Sequence, residues 1–154
     1  MKCSLAAMPL VLSMLSPFFG SALADPSEIV IEQPWARASI GLKRPGAAYF
    51  QVRNTSDEMM VLVGVETDLA EMPQIHETTT NSNGVSSMQR IERIEIGSGQ
   101  TYMLEPGGAH VMLMKLRRPM IEGEQFKLTL QFENGDPIST VTPILGLASR
   151  GPDQ

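Results

Sequence analysis

Two histidines and several methionines are the residues of this sequence whose types and spacing could bind a metal ion. The chain has two histidines, His76 and His110, and eleven methionines. Met88 lies between the histidines, with eleven residues before it and twenty-one after it, and Met112 follows His110 by two positions. Residues i and i+2 of a β-strand point to the same face, about 7 Å apart, so His110 and Met112 could reach one ion. The sequence therefore allows one site of two imidazoles and two thioethers.

The donor atoms of such a site select the metal. Thioether sulfur and neutral imidazole suit Cu(I), whereas Zn(II) and Cu(II) prefer harder or anionic donors. A thioether has no proton to lose and cannot form a disulfide, so the site would tolerate moderate acid and an oxidising compartment. Four protein ligands leave no open position for a substrate. We therefore expect a protein that carries Cu(I), not an enzyme that uses it.

Each of these residues also has an ordinary structural explanation. A methionine in a strand commonly fills the core, and a single histidine commonly lies at the surface or forms a hydrogen bond. Met114 shares the face of His110 but is about 13 Å from it along a strand, so we expect it to pack near the site. We interpret the following residues as core: Trp35, Met59, Met60, Met72, Met103 and Met120.

Composition excludes several other classes of function. The 154 residues carry 12 Lys and Arg against 17 Asp and Glu, a net charge of −5, which disfavours binding to nucleic acid. Neither histidine lies in a nucleophile-elbow sequence and no phosphate-binding loop occurs, so we expect no catalysis and no small-molecule substrate. The single cysteine, Cys3, permits no internal disulfide.

The first 24 residues have the features of an export signal. A lysine precedes an apolar run at about residues 5–19, and the segment ends in Ala-Leu-Ala, a small-x-small pattern that signal peptidase accepts. We expect cleavage after Ala24 and a periplasmic mature chain, residues 25–154, which has no cysteine for a blue-copper site. An uncleaved N-terminal anchor is the alternative, although two prolines interrupt the apolar run.

The remainder of the chain is dominated by strand patterns. Apolar and polar residues alternate in segments such as EQFKLTLQF at 124–132, and clusters of glycine, proline and asparagine separate the segments. Short strands at intervals of roughly 8–12 residues indicate a β-sandwich or small barrel. We predict strands at 28–32, 47–53, 59–66, 74–80, 87–96, 101–104, 110–116, 124–132 and 137–142. The core would span about residues 29–142, with a flexible tail at 147–154.

Several segments together resemble the periplasmic PCuAC-type copper chaperones. That family is marked by a histidine, about ten residues, a methionine, twenty-one residues and then His-x-Met, a pattern matched by His76, Met88, His110 and Met112. The flanking segments are also similar: PWAR at 34–37, GAAY at 46–49, HETT at 76–79, NGV at 83–85 and PGGAHVMLM at 106–114. The resemblance covers most of the chain, from about residue 29 to residue 142.

The resemblance implies a fold, a cargo and a partner. The fold would be all-β, a cupredoxin-like or immunoglobulin-like Greek-key β-sandwich or small barrel, in one copper-binding domain at 25–154. The cargo would be one Cu(I) per chain, bound by His76, Met88, His110 and Met112. The acceptor would be the CuA subunit of cytochrome c oxidase or a Sco-type thiol protein, and membrane contact would occur only through that acceptor.

Departures from the family pattern leave alternatives open. Eleven residues rather than ten precede Met88, so either the turn at 81–84 is enlarged or Met88 is displaced and the site has three ligands. The C-terminal tail lacks the histidines and methionines proposed to hold Cu(II) in some relatives, so we predict no copper site there. The chain could instead buffer copper in the periplasm, or be a metal-free β-sandwich interaction module whose histidines and methionines only pack.

Overall fold

Every regular element that the structure describes is a β-strand. The computed structural model describes residues 28–152. The ten strands are β1 (Ile29–Arg37), β2 (Gly46–Asn54), β3 (Met60–Glu66), β4 (Ala70–Thr80), β5 (Ser86–Ile91), β6 (Ile94–Ile96), β7 (Thr101–Leu104), β8 (Ala109–Leu116), β9 (Gln125–Phe132) and β10 (Ile138–Leu145). The predicted export signal at 1–24 lies outside the described residues, and within them no helix is long and apolar enough to cross a membrane.

Hydrogen bonding joins the strands into one continuous path. The path runs β5-β4-β8-β2-β1-β10-β9-β3-β6, and β7 pairs with the second half of β2. Neighbours are antiparallel except β1 and β10, which run parallel and meet at Ala36 and Ile144. That junction connects a first sheet (β1, β2, β4, β5, β7 and β8) to a second sheet (β3, β6, β9 and β10). The all-β architecture agrees with the sequence prediction.

The core contains the inward-facing side chains of both sheets. In β9 the residues Phe126, Leu128, Leu130 and Phe132 are buried, and the residues between them are more exposed. Other large side chains that are completely buried include Phe50, Ile29, Leu62, Leu69, Leu113 and Ile144. The alternation that predicted the strands therefore also identifies which side of each strand packs.

The methionines divide between the core and the surface. Met60 and Met120 are buried, so their interpretation as core residues is confirmed. The same interpretation is wrong for Met59, Met72 and Met103, whose side chains are 50%, 38% and 49% exposed. These three lie on outward-facing positions, and residue type alone does not reveal which face of a strand is buried.

A β-bulge in β1 determines the position of Trp35. The register with β2 shifts between Glu32 and Trp35, and Gln33 has a left-handed φ of 48°. Trp35 is only 4% exposed, but it does not join the main core cluster that contains its neighbour Ala36. Its ring packs instead on Tyr49, with centroids 4.5 Å apart. The interpretation of Trp35 as a core residue is thus confirmed by its burial, although its ring packs beside the main cluster and not within it.

The segment predicted as one strand at 87–96 is two strands. β5 pairs with β4 in the first sheet, whereas β6 pairs with β3 in the second sheet. Residues 92 and 93 lie between them, where the chain passes from one sheet to the other. β5 is exposed over almost its whole length, so no alternation of apolar residues marks where it ends.

Candidate metal-binding site

The two histidines face each other across β4 and β8. His76 of β4 is the direct partner of His110 of β8 in the antiparallel register, so both side chains project from the same face of the sheet. Their ring centroids are 6.4 Å apart and the ring planes are inclined by 38°. We call this outer surface of the first sheet, which carries His76 and His110, the histidine face.

Each histidine uses one ring nitrogen in a hydrogen bond and keeps the other free. His110 donates from Nδ1 to the carbonyl oxygen of Gly108 (3.1 Å), which leaves a lone pair on Nε2. His76 donates from Nε2 to Oε1 of Gln74 (3.2 Å), which leaves a lone pair on Nδ1. Among the described residues, Nδ1 of His76 is buried without a hydrogen-bond partner. A buried acceptor without a partner is costly unless a ligand satisfies it, so this nitrogen suits a metal ion.

The surroundings of His76 favour its neutral imidazole. Burial lowers the pKa of His76 below its ordinary value of 6.5, and the nearby charges of His110 and Arg90 lower it further. Only the neutral ring offers a lone pair to a metal, so the lowered pKa keeps His76 available for binding at neutral pH and somewhat below it.

Met112 and Met88 lie on the histidine face, on opposite sides of the histidine pair. Met112 is two residues beyond His110 in β8 and is partly buried. Met88 of β5 is the direct partner of Thr78, which places it diagonally across from His76, and its side chain is 48% exposed. Diagonal neighbours are about 7–8 Å apart, within reach of long side chains. The fold therefore brings the four residues predicted from sequence to one face.

The turn between β4 and β5 determines the register of Met88. The side-chain oxygen of Asn81 accepts hydrogen bonds from the backbone N–H groups of Asn83 (3.0 Å) and Val85 (2.9 Å). Gly84 has a φ of 76°, a left-handed conformation that glycine adopts without steric strain. These contacts form a closed five-residue turn outside the ladder of β4 and β5. A residue added within such a turn leaves the pairing of the two strands intact.

An aromatic pair supports His110 from the side of β2 and β1. The ring of Tyr49 lies 6.4 Å from that of His110, between centroids, and Trp35 packs on the far side of Tyr49. The guanidinium of Arg37 lies 5.8 Å from the Trp35 centroid and 5.7 Å from the Tyr49 centroid, and its Nε donates to the carbonyl of Ser149 (3.1 Å). Stacking and cation–π contacts of this kind restrict the rings, so they limit the movement of His110.

Sequence reasoning did not identify Gln74, Tyr49 or Arg37 as part of this site. Gln74 precedes His76 by two positions, so alternation places both on one face, but only the structure shows the hydrogen bond between them. Tyr49 and Arg37 become neighbours of the site only through strand pairing. Within residues 28–152, no group of three or more His, Cys, Asp and Glu side chains is arranged to hold a metal ion.

Comparison with known proteins identifies the family. The LpqE-like family model, described as "Putative lipoprotein LpqE-like", matches residues 29–144. The chain belongs to this family. A relative from Leifsonia xyli subsp. xyli, "Putative lipoprotein Lxx21020", is 33% identical over 118 residues, which cover 75% of this chain and 69% of the relative.

Solved structures of copper-binding proteins, including PCuAC domains, have the same fold. The solution structure of CuI-DR1885 from Deinococcus radiodurans is 34% identical with a TM-score of 0.60, and the match covers 75% of this chain and 76% of that one. The copper-bound PCuAC domain of PmoF2 is 24% identical with a TM-score of 0.64, covering 77% and 93%. The predicted family and fold class are confirmed. PCuAC proteins are copper chaperones rather than enzymes, in agreement with the expectation for this chain.

Proposed function

We propose that this protein is a periplasmic copper chaperone that binds one Cu(I) per chain with His76, Met88, His110 and Met112. It delivers the ion toward the CuA centre of cytochrome c oxidase, either to the oxidase subunit itself or to a Sco-type thiol protein. The proposal is supported by the donor types on the histidine face, because thioether and neutral imidazole suit Cu(I). It is also supported by the relative from Deinococcus radiodurans, whose structure is of a CuI form.

The pair of free imidazole nitrogens is the observation that carries the proposal. Nδ1 of His76 is buried without a hydrogen-bond partner among the described residues, and Nε2 of His110 keeps its lone pair. Metal–nitrogen bonds are about 2.0–2.1 Å long. The ring centroids are 6.4 Å apart, and this separation supports the proposal that both nitrogens bind a common ion. The two strands fix the backbones beforehand, so binding orders few further groups.

The thioethers complete the coordination in different ways. Met112 is partly buried beside His110 on the same strand, so it holds the ion from a fixed position. Met88 reaches the site from the neighbouring strand and is 48% exposed. A three-ligand site without Met88 is the alternative within the same function, and it predicts that the removal of Met88 leaves Cu(I) affinity unchanged.

Release proceeds by ligand exchange in this proposal. The more exposed Met88 is the first ligand that an incoming cysteine of the acceptor displaces. A copper–thiolate bond forms as the copper–thioether bond of Met88 breaks, the thiol proton passes to water, and copper remains Cu(I) throughout. Thiolate is the stronger donor, so transfer to an acceptor that contains cysteine is downhill.

An anaerobic Cu(I) titration against a chromophoric chelator tests the site. We expect the protein to bind one equivalent of Cu(I) tightly. In His76→Ala and in Met112→Ala we expect the affinity to fall by about tenfold or more, because losing a ligand should cost at least as much as losing a residue that supports a ligand. Met59→Leu is a matched control, because Met59 is 50% exposed like Met88 but precedes β3 of the second sheet. Failure to compete with the chelator would contradict the chaperone function and favour the metal-free interaction module.

Delivery and buffering require a test in the cell. A deletion strain with a respiratory defect that added copper cures would support delivery to the oxidase. Copper sensitivity with normal respiration would instead identify a buffer or tolerance protein. The histidine face is compatible with both roles, because each needs a Cu(I) site that exchanges its ion.

Export places the protein in the compartment where this delivery occurs. The pattern at residues 1–24 and the lipoprotein descriptions of the family and its relative support export. N-terminal sequencing of the protein from the periplasmic fraction tests cleavage after Ala24. A mature chain that begins at Asp25 is expected, and a retained N-terminal segment would favour the anchor.

A further inference from the structure

A second group of methionines lies on the histidine face, beyond Met112. Met72 of β4 and Met114 of β8 are direct partners in the antiparallel register. The Cβ atoms of such partners are about 4.5–5.5 Å apart, so their side chains can touch. Met112 belongs to the next row of the two strands, and the histidine pair to the row after that. The sulfur-bearing side chains thus continue from the histidines to the end of the face.

Burial does not explain the pairing of Met72 and Met114. Met72 is 38% exposed and Met114 is only partly buried, so neither fills the core. Two other exposed methionines, Met59 and Met103, have no methionine partner: Met103 pairs with Gln51, and Met59 precedes β3. Met72 and Met114 are therefore distinguished by their arrangement and not by exposure alone.

Met72 and Met114 are the last outward-facing pair of β4 and β8, because the backbone of β8 is irregular just after Met114. Lys115 has a left-handed φ of 54°, which alters the direction of the side chains that follow. Beyond it, the partners Ala70 and Leu116 are both buried. Met72 and Met114 consequently lie where the histidine face meets solvent at its end.

We infer that Met72, Met112 and Met114 form a second soft-metal site, made of three thioethers, for Cu(I). Neutral sulfur donors select Cu(I) over harder ions. The site lacks imidazole, so it binds more weakly than the histidine pair, and Met112 is common to both. Cu(I) therefore binds this site transiently as it enters or leaves the histidine pair. The site depends only on the three sulfurs, while its role in transfer rests on the proposed function.

Methionine methyl NMR of the full chain detects this site directly. The probe is Ag(I), a soft monovalent ion that avoids the oxidation of Cu(I), and the label is [13C]methyl methionine. We expect the first equivalent to shift Met88 and Met112, and the second to shift Met72 and Met114 and to shift Met112 again, because the sulfur of Met112 contacts both ions. Each resonance is assigned from its own Met→Leu variant.

The unpaired methionines Met59 and Met103 provide an internal control. They carry the same group and are more exposed than Met72, at 50% and 49% against 38%. Nonspecific Ag(I) binding would therefore shift them at least as much. We expect their resonances to stay within experimental error through the second equivalent.

A double variant supplies an independent readout. Met72→Leu with Met114→Leu conserves volume, so the fold is retained. We expect the stoichiometry of Ag(I) to fall from two per chain to one, with the affinity of the first equivalent unchanged within twofold. The matched pair Met59→Leu with Met103→Leu should keep two equivalents.

The outcomes separate this inference from the proposed function. If Met112 shifts but Met72 and Met114 move no more than the control methionines, the second site is refuted and the chaperone function stands. If no methionine shifts, both are refuted. If Met72 and Met114 respond at the first equivalent while Met88 does not, the thioether site is supported and the His/Met ligand set is contradicted.

Discussion

The free nitrogen of His76 depends on a neighbouring amide. Gln74 accepts a hydrogen bond from Nε2 of His76, and this contact fixes the tautomer that leaves Nδ1 unprotonated. Without that acceptor, the ring could place its proton on either nitrogen or rotate. Gln74 is therefore a positioning residue, which acts on the metal only through the imidazole.

Replacement of Gln74 tests this role. In Gln74→Leu we expect Cu(I) affinity to fall about tenfold, the lower end of the losses that follow removal of a supporting residue. Competition with a chelator measures the affinity, and nitrogen-15 NMR of the metal-free protein reports the tautomer. Gln74→Glu keeps an acceptor at the same place, so it should retain the Nε2-protonated tautomer. An unchanged tautomer in Gln74→Leu would contradict the role.

The prediction of the four candidate ligands rests on two signals in the sequence, strand alternation for one pair and a family motif for all four. His110 and Met112 share a face at any strand register, and the pattern with His76 and Met88 matches a family motif. Tyr49, in contrast, becomes a neighbour of His110 only through the pairing of β2 with β8. That pairing joins residues about sixty positions apart, and no local pattern specifies it.

Among the strands, β2 must approach its neighbours closely where it begins. Gly46 is the partner of Leu113 in β8, and a Cβ atom built on Gly46 would meet the sulfur of Met120. Met120 is 1% exposed, so its side chain has little room to move aside. Ala47 follows directly and is the partner of Met112, so the start of β2 also lies beside the candidate site.

A methyl group at Gly46 should therefore destabilise the protein. We expect Gly46→Ala to lower the free energy of unfolding by about 1–3 kcal/mol, the usual cost of overpacking. Gly64→Ala is the matched control, because a Cβ there would meet only Gln131 at 4.0 Å. That variant should be neutral or more stable, since alanine restricts the unfolded chain. Denaturant unfolding compares the two, and equal stabilities would contradict the steric account.

Strands with one buried face were easier to predict than exposed ones. β9 alternates strictly, and its bounds differ by a single residue from the predicted segment. β5 and β6 were predicted as one strand because β5 has no buried apolar face, so nothing in its pattern marks the passage to the second sheet. Tertiary pairing determines such a boundary.

At the scale of the whole molecule, a buried asparagine connects the two sheets. Asn54 ends β2 and is completely buried. Its Nδ2 donates to the carbonyls of Glu58 (2.7 Å) and Ile96 (2.9 Å), and its Oδ1 accepts from the backbone N–H (3.0 Å) and the hydroxyl (2.7 Å) of Ser56. Ile96 belongs to β6, so one side chain joins the first sheet to the second.

Loss of this amide should destabilise the fold without affecting the metal. Asn54→Ala leaves buried carbonyls without donors, so we expect a loss of about 3 kcal/mol in unfolding free energy. Cu(I) affinity should change by less than twofold, because Asn54 is remote from the histidine face. Asn134→Ala is the control: it removes similar hydrogen bonds to Val61 and Met59 at an exposed position, and we expect about 1 kcal/mol. A comparable loss in both variants would argue against a special role for Asn54.

The order of the strands is the part of the fold that the sequence conveyed least. β4 lies between β5 and β8 although more than twenty residues separate β4 from β8, and β10 returns to pair in parallel with β1. Local propensity predicts that strands exist. The Greek-key sandwich or barrel architecture was predicted from the family resemblance. The sequence has no signal for the β1–β10 junction, since the paired residues Ala36 and Ile144 lie at opposite ends of the chain.

The position of β5 at the end of the strand order has a consequence for copper-free and copper-loaded chains. An exposed edge strand offers unpaired backbone groups to other chains and is a common starting point for aggregation. In the proposed site, Met88 is the ligand that β5 contributes. An ion bound there would link β5 to the histidines of β4 and β8. If the proposal holds, copper binding and resistance to self-association are coupled: an ion held by Met88 restrains β5, and we expect a chain that has released its ion to self-associate more readily.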